Sequence, residues 1–190
     1  MTLAFSAVAA TLSMNAPVLS PWVFLIGAYG FLFATHALAR SPWGLLTTFG
    51  FTGFIGYGIG PLLGYLMASQ NGSEIVTTAL GGTAFIFFGL SGWVLASRKD
   101  FSFLRGFIAA GCLVLLAAIV ISLFWQMPAL QLAMSVGFMF FSSAIILYQT
   151  SEIIHGGERN YILATITLYV SIYNIFMSLL HLLMAFSGDD

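Results

Sequence analysis

The chain has 190 residues, of which 60% are hydrophobic and only 6% charged, with a mean hydropathy of +1.03. A typical soluble domain has about 25% charged residues, so this composition excludes a free cytoplasmic enzyme and a disordered regulator. Five Lys and Arg against six Asp and Glu give a net charge of −1, which leaves no basic patch for nucleic acid.

Charges are confined to a few places. Met1 to Ala39, Ser41 to Ser73, Ile75 to Ser97, Gly106 to Ser151 and Asn160 to Gly188 carry none. A bilayer core takes about 20 apolar residues of helix, and backbone polar groups in lipid must be paired within the segment. Cutting the runs at their Pro, Asn and Gly clusters predicts seven helices, at about 2–15, 22–38, 44–67, 75–96, 103–124, 130–150 and 161–185. The breaks fall at Asn15-Ala16-Pro17, Arg40-Ser41-Pro42, Gln70-Asn71-Gly72-Ser73, Arg98-Lys99-Asp100, Gln126-Met127-Pro128 and His155-Gly156-Gly157-Glu158. The expected fold is all-α: a polytopic membrane protein forming one seven-transmembrane-helix bundle over residues 1–190. The first segment starts almost at Met1 with no basic residues before it. It reads as a first membrane helix that is clipped or has its start codon misplaced, rather than as a signal peptide.

All five basic residues fall in alternate loops: Arg40 after the second helix, Arg98, Lys99 and Arg105 around the loop after the fourth, and Arg159 after the sixth. By the positive-inside rule these loops and the N-terminus are expected to be cytoplasmic, with Asp189 and Asp190 outside.

Two kinds of pattern stand out. The third helix carries Gly56-x-x-x-Gly60-x-x-x-Gly64, a small-residue seam that lets another helix approach closely. Pro61 lies within it and removes one backbone donor. The seam reads as close packing, with a hinge or a pore-lining break as the alternative. On the fourth helix Gly82, Gly89, Gly92 and Ala96 share a face that Phe85 interrupts. The seventh helix has a polar row, Thr167, Ser171, Asn174, Ser178 and His181, and the sixth has a sparser one, Ser135, Ser142 and Gln149. Polar groups in lipid face a partner or water, so both rows are expected to point into the bundle. They form either interhelical hydrogen bonds or a polar cavity built from Gln149, Ser171, Asn174, Ser178 and Ser142.

Catalytic chemistry finds no foothold. Cys112 is the only cysteine, so no disulfide and no cysteine metal cluster can form. No Ser/His/Asp set and no His-Glu-x-x-His motif occurs, and no acidic residue lies deep in a helix. His36 and His181 sit near helix ends and read as packed or interfacial. No catalytic residue, cofactor or metal site is expected.

Several stretches resemble the Bax-inhibitor family. They are Phe51-Thr52-Gly53-Phe54-Ile55-Gly56-Tyr57-Gly58-Ile59-Gly60-Pro61, Ala79-Leu80-Gly81-Gly82-Thr83-Ala84, Ser97-Arg98-Lys99-Asp100-Phe101-Ser102-Phe103-Leu104 and Leu168-Tyr169-Val170-Ser171-Ile172-Tyr173-Asn174-Ile175-Phe176. The most specific is Ser151-Glu152-Ile153-Ile154-His155-Gly156-Gly157-Glu158, followed by Asn160-Tyr161. The resemblance is strongest to bacterial inner-membrane members and implies a seven-helix bundle. It also implies association with the membrane-anchored, ATP-dependent protease FtsH, as a non-enzymatic modulator. Those members carry a cytoplasmic tail before the first helix, and the resemblance places Met1 inside that helix. Family members that leak calcium are implied to use a carboxylate pair at the positions of Gln149 and Ser171. Both are neutral here, which argues against a carboxylate-gated leak. A pH-sensitive calcium, cation or proton leak through the bundle stays as the second reading.

Overall fold

The computed structural model describes residues 1–125 and 127–187, apart from the side chain of Leu123. Gln126, Gly188, Asp189 and Asp190 lie outside the described residues, and with them the centre of one expected break and the two acidic residues expected outside. The order is α1 (Thr2–Leu12), α2 (Pro21–Leu38), α3 (Trp43–Met67), α4 (Gly72–Ser97), α5 (Leu104–Phe124), α6 (Pro128–His155) and α7 (Tyr161–Ser187). Six of these helices are long and apolar enough to cross a membrane. The exception is α1, whose 11 residues span about 16 Å.

The surface confirms a lipid-facing protein. Phe33, Phe85, Leu113 and Phe140 are exposed, whereas the hydroxyls of Thr48, Thr52, Ser142 and Ser171 are buried. A water-soluble fold would invert that arrangement.

Helix ends follow local chemistry. Proline opens α2 at Pro21 and α6 at Pro128, where a missing N–H costs nothing. Asn160 caps α7: its Oδ1 accepts the N–H of Ile162 at 3.0 Å and of Leu163 at 3.4 Å. The largest difference from the expected ends is at α6, which runs to His155 rather than Thr150. The two glycines stop it. Gly156 takes φ +76°, its N–H reaches the Ile153 carbonyl, and the N–H of Gly157 reaches the Glu152 carbonyl at 2.9 Å. That is the Schellman termination, which needs a residue tolerant of positive φ.

The chain divides into two compact units, with α4 and α7 contributing to both. The first holds Met1–Val76 and Asn160–Tyr169. In it α2 lies antiparallel to α3, since Phe31 meets Gly50 and Phe24 meets Gly58. The Phe24 and Phe54 rings stack at 5.8 Å. In contrast, α1 runs parallel to α3: Phe5 meets Gly53, Ser6 meets Gly56, Ser13 meets Gly60 and Met14 meets Gly64. The Asn160 Nδ2 donates to the Ala39 carbonyl at 2.9 Å, tying the start of α7 to the end of α2.

The second unit holds Thr77–Arg159 and the chain from Val170 onward. Buried hydroxyls of Ser91 on α4 and Thr150 on α6 lie 3.5 Å apart. The α4–α5 loop is pinned to α6 by Ser151, whose Oγ accepts the N–H of Phe101 at 3.0 Å.

Candidate functional site

The glycine seam is filled by α1. A Cβ at Gly56 would strike the Ser6 carbonyl. At Gly60 it would strike the Ser13 hydroxyl and the Ala10 carbonyl, and at Gly64 the Met14 carbonyl. The three carbonyls are backbone atoms that cannot swing aside, so only glycine admits α1 at this depth. Pro61 lies inside α3. Its ring nitrogen cannot donate to the carbonyl four residues earlier, that of Tyr57. The Ser13 hydroxyl supplies the missing donor at 2.9 Å. Two turns earlier on α1, the Ser6 hydroxyl meets the Tyr169 hydroxyl at 2.7 Å, and that phenol donates to the Thr52 carbonyl at 3.2 Å. Tyr169 also packs edge-on against Phe51 at 5.9 Å.

The polar rows lie elsewhere. Ser135, Ser142 and Gln149 repeat every seven residues and are all buried on α6. Ser171 and Ser178 on α7 are buried as well, and Asn174 is half-buried. A cavity of about 690 Å³ opens among α5, α6 and α7. Gln131, Ser135, Asn174, Ser178 and His181 give it a polar wall, and Met134 and Met177 an apolar one. Of the five expected cavity residues, Asn174 and Ser178 line this space, while Ser142, Gln149 and Ser171 are not part of its lining. Among the described residues, Ser142 Oγ and Gln149 Nε2 are buried with no hydrogen-bond partner. Leaving such groups unpaired costs about 1–3 kcal/mol each.

At the other end of α6, Ser151 and His155 organise the α4–α5 loop. The Ser151 hydroxyl lies 3.4 Å from the Lys99 carbonyl, and His155 Nδ1 lies 2.9 Å from the Ser151 carbonyl, so that nitrogen carries the proton. Asp100 Oδ1 accepts the Ser102 N–H at 2.8 Å. That N–H, then the Ser102 hydroxyl and the His155 ring, hold the Asp100 carboxyl below its ordinary range. Among the described residues no three His, Cys, Asp or Glu side chains come together as a metal site.

Residues 1–188 match the family described as Inhibitor of apoptosis-promoting Bax1. The chain belongs to that Bax-inhibitor family. It is 56% identical to an uncharacterized protein of Pseudomonas aeruginosa, over all of this chain and 86% of the relative. It is 49% identical to the Modulator of FtsH protease YccA of Escherichia coli strain K12, over all of this chain and 87% of that protein. An uncharacterized membrane protein of Vibrio cholerae is 41% identical over all of this chain and 86% of its own length.

The stretch Ser151 to Asn160, the most specific part of the resemblance to the Bax-inhibitor family, has a concrete structural job. Ser151 holds the preceding loop, Gly156 and Gly157 end α6, and Asn160 starts α7 while gripping α2. Ser6, Ser13 and Tyr169 are structural keys that the polar-row pattern passes over. Tyr57, four residues before a proline within a helix, is the signal that a donor must arrive from another helix.

Proposed function

We propose that this chain is a non-enzymatic integral protein of the bacterial inner membrane that modulates the FtsH protease. The observation that carries this reading is 49% identity, over the full chain, to the Escherichia coli protein named as a modulator of that protease. Six apolar helices of membrane-crossing length support the location. The basic loops face the cytoplasm in this reading, with the N-terminus on the same side and the C-terminus in the periplasm. FtsH should co-purify with the tagged full chain from native membranes, and overproduction should prolong the half-life of a membrane substrate of FtsH several-fold. Absence of both effects refutes the reading.

A second reading, a proton, calcium or other cation leak, rests on Ser142 Oγ and Gln149 Nε2, which are buried without partners on one face of α6. Flux into liposomes holding the parent should then exceed that into empty ones and fall in the variant Ser142→Ala with Gln149→Leu. Flux equal to that of empty liposomes rejects it.

A further inference from the structure

A second hollow, about 570 Å³, runs along the membrane-embedded surface among α4, α5 and α6. Phe85, Gly89, Leu104, Phe107, Phe140 and Ala144 form most of its wall. Its only polar side chain is Ser143, whose hydroxyl is spent on the Met139 carbonyl at 2.8 Å. An occupant therefore gains nothing here by hydrogen bonding and must be apolar. Gly89 leaves it open, with nothing within 4 Å of where a Cβ would stand. On α6 the groove runs from Met139 to Leu147. That is about 12 Å of helix, close to the roughly 15 Å depth of hydrocarbon in one leaflet.

The groove reaches Leu104, the first residue of α5, and so ends under the α4–α5 loop. Arg98, Lys99 and Arg105 lie there, three of the five basic residues of the chain, and all are exposed. Among the described residues none of the three is held in an ion pair. The nearest acid in sequence, Asp100, is instead occupied by Ser102. The loop is fixed rather than free, because Phe101 and Lys99 are tied to Ser151 by their backbone. Phe103 is exposed beside it, 6.0 Å from the Phe101 ring, where aromatic residues mark a bilayer interface. An apolar slot one leaflet deep beneath an unpaired cationic rim matches a molecule with an acyl chain below and a phosphate above. We propose that the groove and loop bind one anionic phospholipid of the leaflet facing the α4–α5 loop. An acyl chain lies in the groove, and the headgroup phosphate meets Arg98, Lys99 and Arg105.

The test is native mass spectrometry of the full chain in detergent, titrated with palmitoyl-oleoyl phosphatidylglycerol and, separately, with the ethanolamine lipid of the same chains. The parent should bind one phosphatidylglycerol with a preference approaching a hundredfold, the product of three cationic contacts. The variant Arg98→Gln, Lys99→Gln, Arg105→Gln should lose that preference and keep weak binding of both lipids. Gly89→Phe, or the milder Gly89→Leu, should weaken both lipids alike while preserving the charge preference. Each variant is compared as a monodisperse, fully helical protein, and both sites of change are exposed or open. Equal binding of the two lipids by the parent overturns the proposal, as does an unchanged preference in the triple variant. Full displacement by millimolar glycerol phosphate, or indifference to both Gly89 variants, also overturns it, because the site would then recognise a free phosphate without the chain.

Discussion

Replacing Ser13 by alanine removes one hydroxyl whose energetic value the structure sets. Three carbonyls lie within reach of Ser13 Oγ: Tyr57 at 2.9 Å, Ala9 at 3.0 Å and Ala10 at 3.1 Å. The two on α1 already accept the Ser13 N–H at 3.2 Å, so they lose little. The Tyr57 carbonyl has no helical donor, because residue 61 is proline. Ser13 is fully buried, so bulk water cannot replace the lost donor. An unsatisfied buried carbonyl costs about 1–3 kcal/mol, while side-chain hydrogen bonds between membrane helices average about 0.6 kcal/mol and reach about 1.7. Ser13→Ala should therefore cost about 1–2 kcal/mol in SDS-driven unfolding from mixed micelles. The decisive partner is Pro61→Ala, which returns an N–H to the Tyr57 carbonyl. In that background Ser13→Ala should cost no more than about 0.5 kcal/mol, giving a coupling energy near 1 kcal/mol. Additive effects of the two substitutions would show that the hydroxyl does not serve the orphaned carbonyl.

Three further outcomes follow from the same geometry. Asn160→Ala removes both the α7 cap and the bond to Ala39 and should cost about 2 kcal/mol in the same unfolding assay, whereas Asn160→Asp keeps the cap and should cost about half as much. Gly60→Ala drives a Cβ into the Ser13 hydroxyl and the Ala10 carbonyl, while Gly58→Ala meets only the Phe24 ring, which can rotate away; Gly60→Ala should be the worse by at least about 1 kcal/mol, and equal costs would mean that α1 does not occupy the seam. The Asp100 carboxyl is lowered by Ser102 and His155, so its stabilisation of the α4–α5 loop is complete above the unfolded value, about pH 4, and is lost as pH falls through the lower folded value; hydrogen exchange at the Ser102 amide should accelerate relative to its neighbours only below that range, and an Asp100→Asn chain should show no such step.

The helices were legible because charge and proline placement are one-dimensional signals. Uncharged runs cut at Pro17, Pro42, Pro128 and the Gly156-Gly157 pair define segments whatever packs against them. The glycine seam of α3 was legible too, since its spacing fixes one face. What occupies it was not, because α1 shows no hydrophobic face of its own and its two decisive residues, Ser6 and Ser13, look like ordinary polar interruptions. The rows on α6 and α7 were visible as rows, but depth is not encoded in spacing. Ser135 and His181 line the larger cavity, while Ser142 and Gln149, on the same stripe as Ser135, are enclosed. Ser151 looked like a helix terminus in sequence and proved to hold a loop 50 residues away, a non-local pairing that no local pattern reports.

The distribution of satisfied and unsatisfied polar groups weighs between the two functional readings. In the first unit the buried hydroxyls are engaged: Thr35 on the Phe31 carbonyl, Thr48 on Gly44, Ser13 on Tyr57 and Tyr169 on Thr52. That polarity is structural: the threonine bonds stay within α2 and α3, while Ser13 and Tyr169 tie the end of α1 and the start of α7 to α3. The exceptions among the described residues, Ser142 and Gln149, both lie on α6 in the second unit. They are the place in the chain where an entering water or ion would gain partners. Yet the groups offered there are one hydroxyl and one amide, both neutral. A cation leaving water needs a compensating charge or a full shell of oxygen dipoles, because several kcal/mol of hydration are otherwise unreturned, and one hydroxyl with one amide repays only part of that. A proton or calcium ion would thus meet a barrier at the level of Ser142 and Gln149 that a carboxylate would have lowered. The same neutrality costs a modulator nothing, since its partner would engage loops and lipid-facing helices rather than the interior. On this balance Gln149→Glu should raise cation flux above the parent's, and a parent flux already equal to that of Gln149→Glu would remove the argument for the modulator reading that rests on charge.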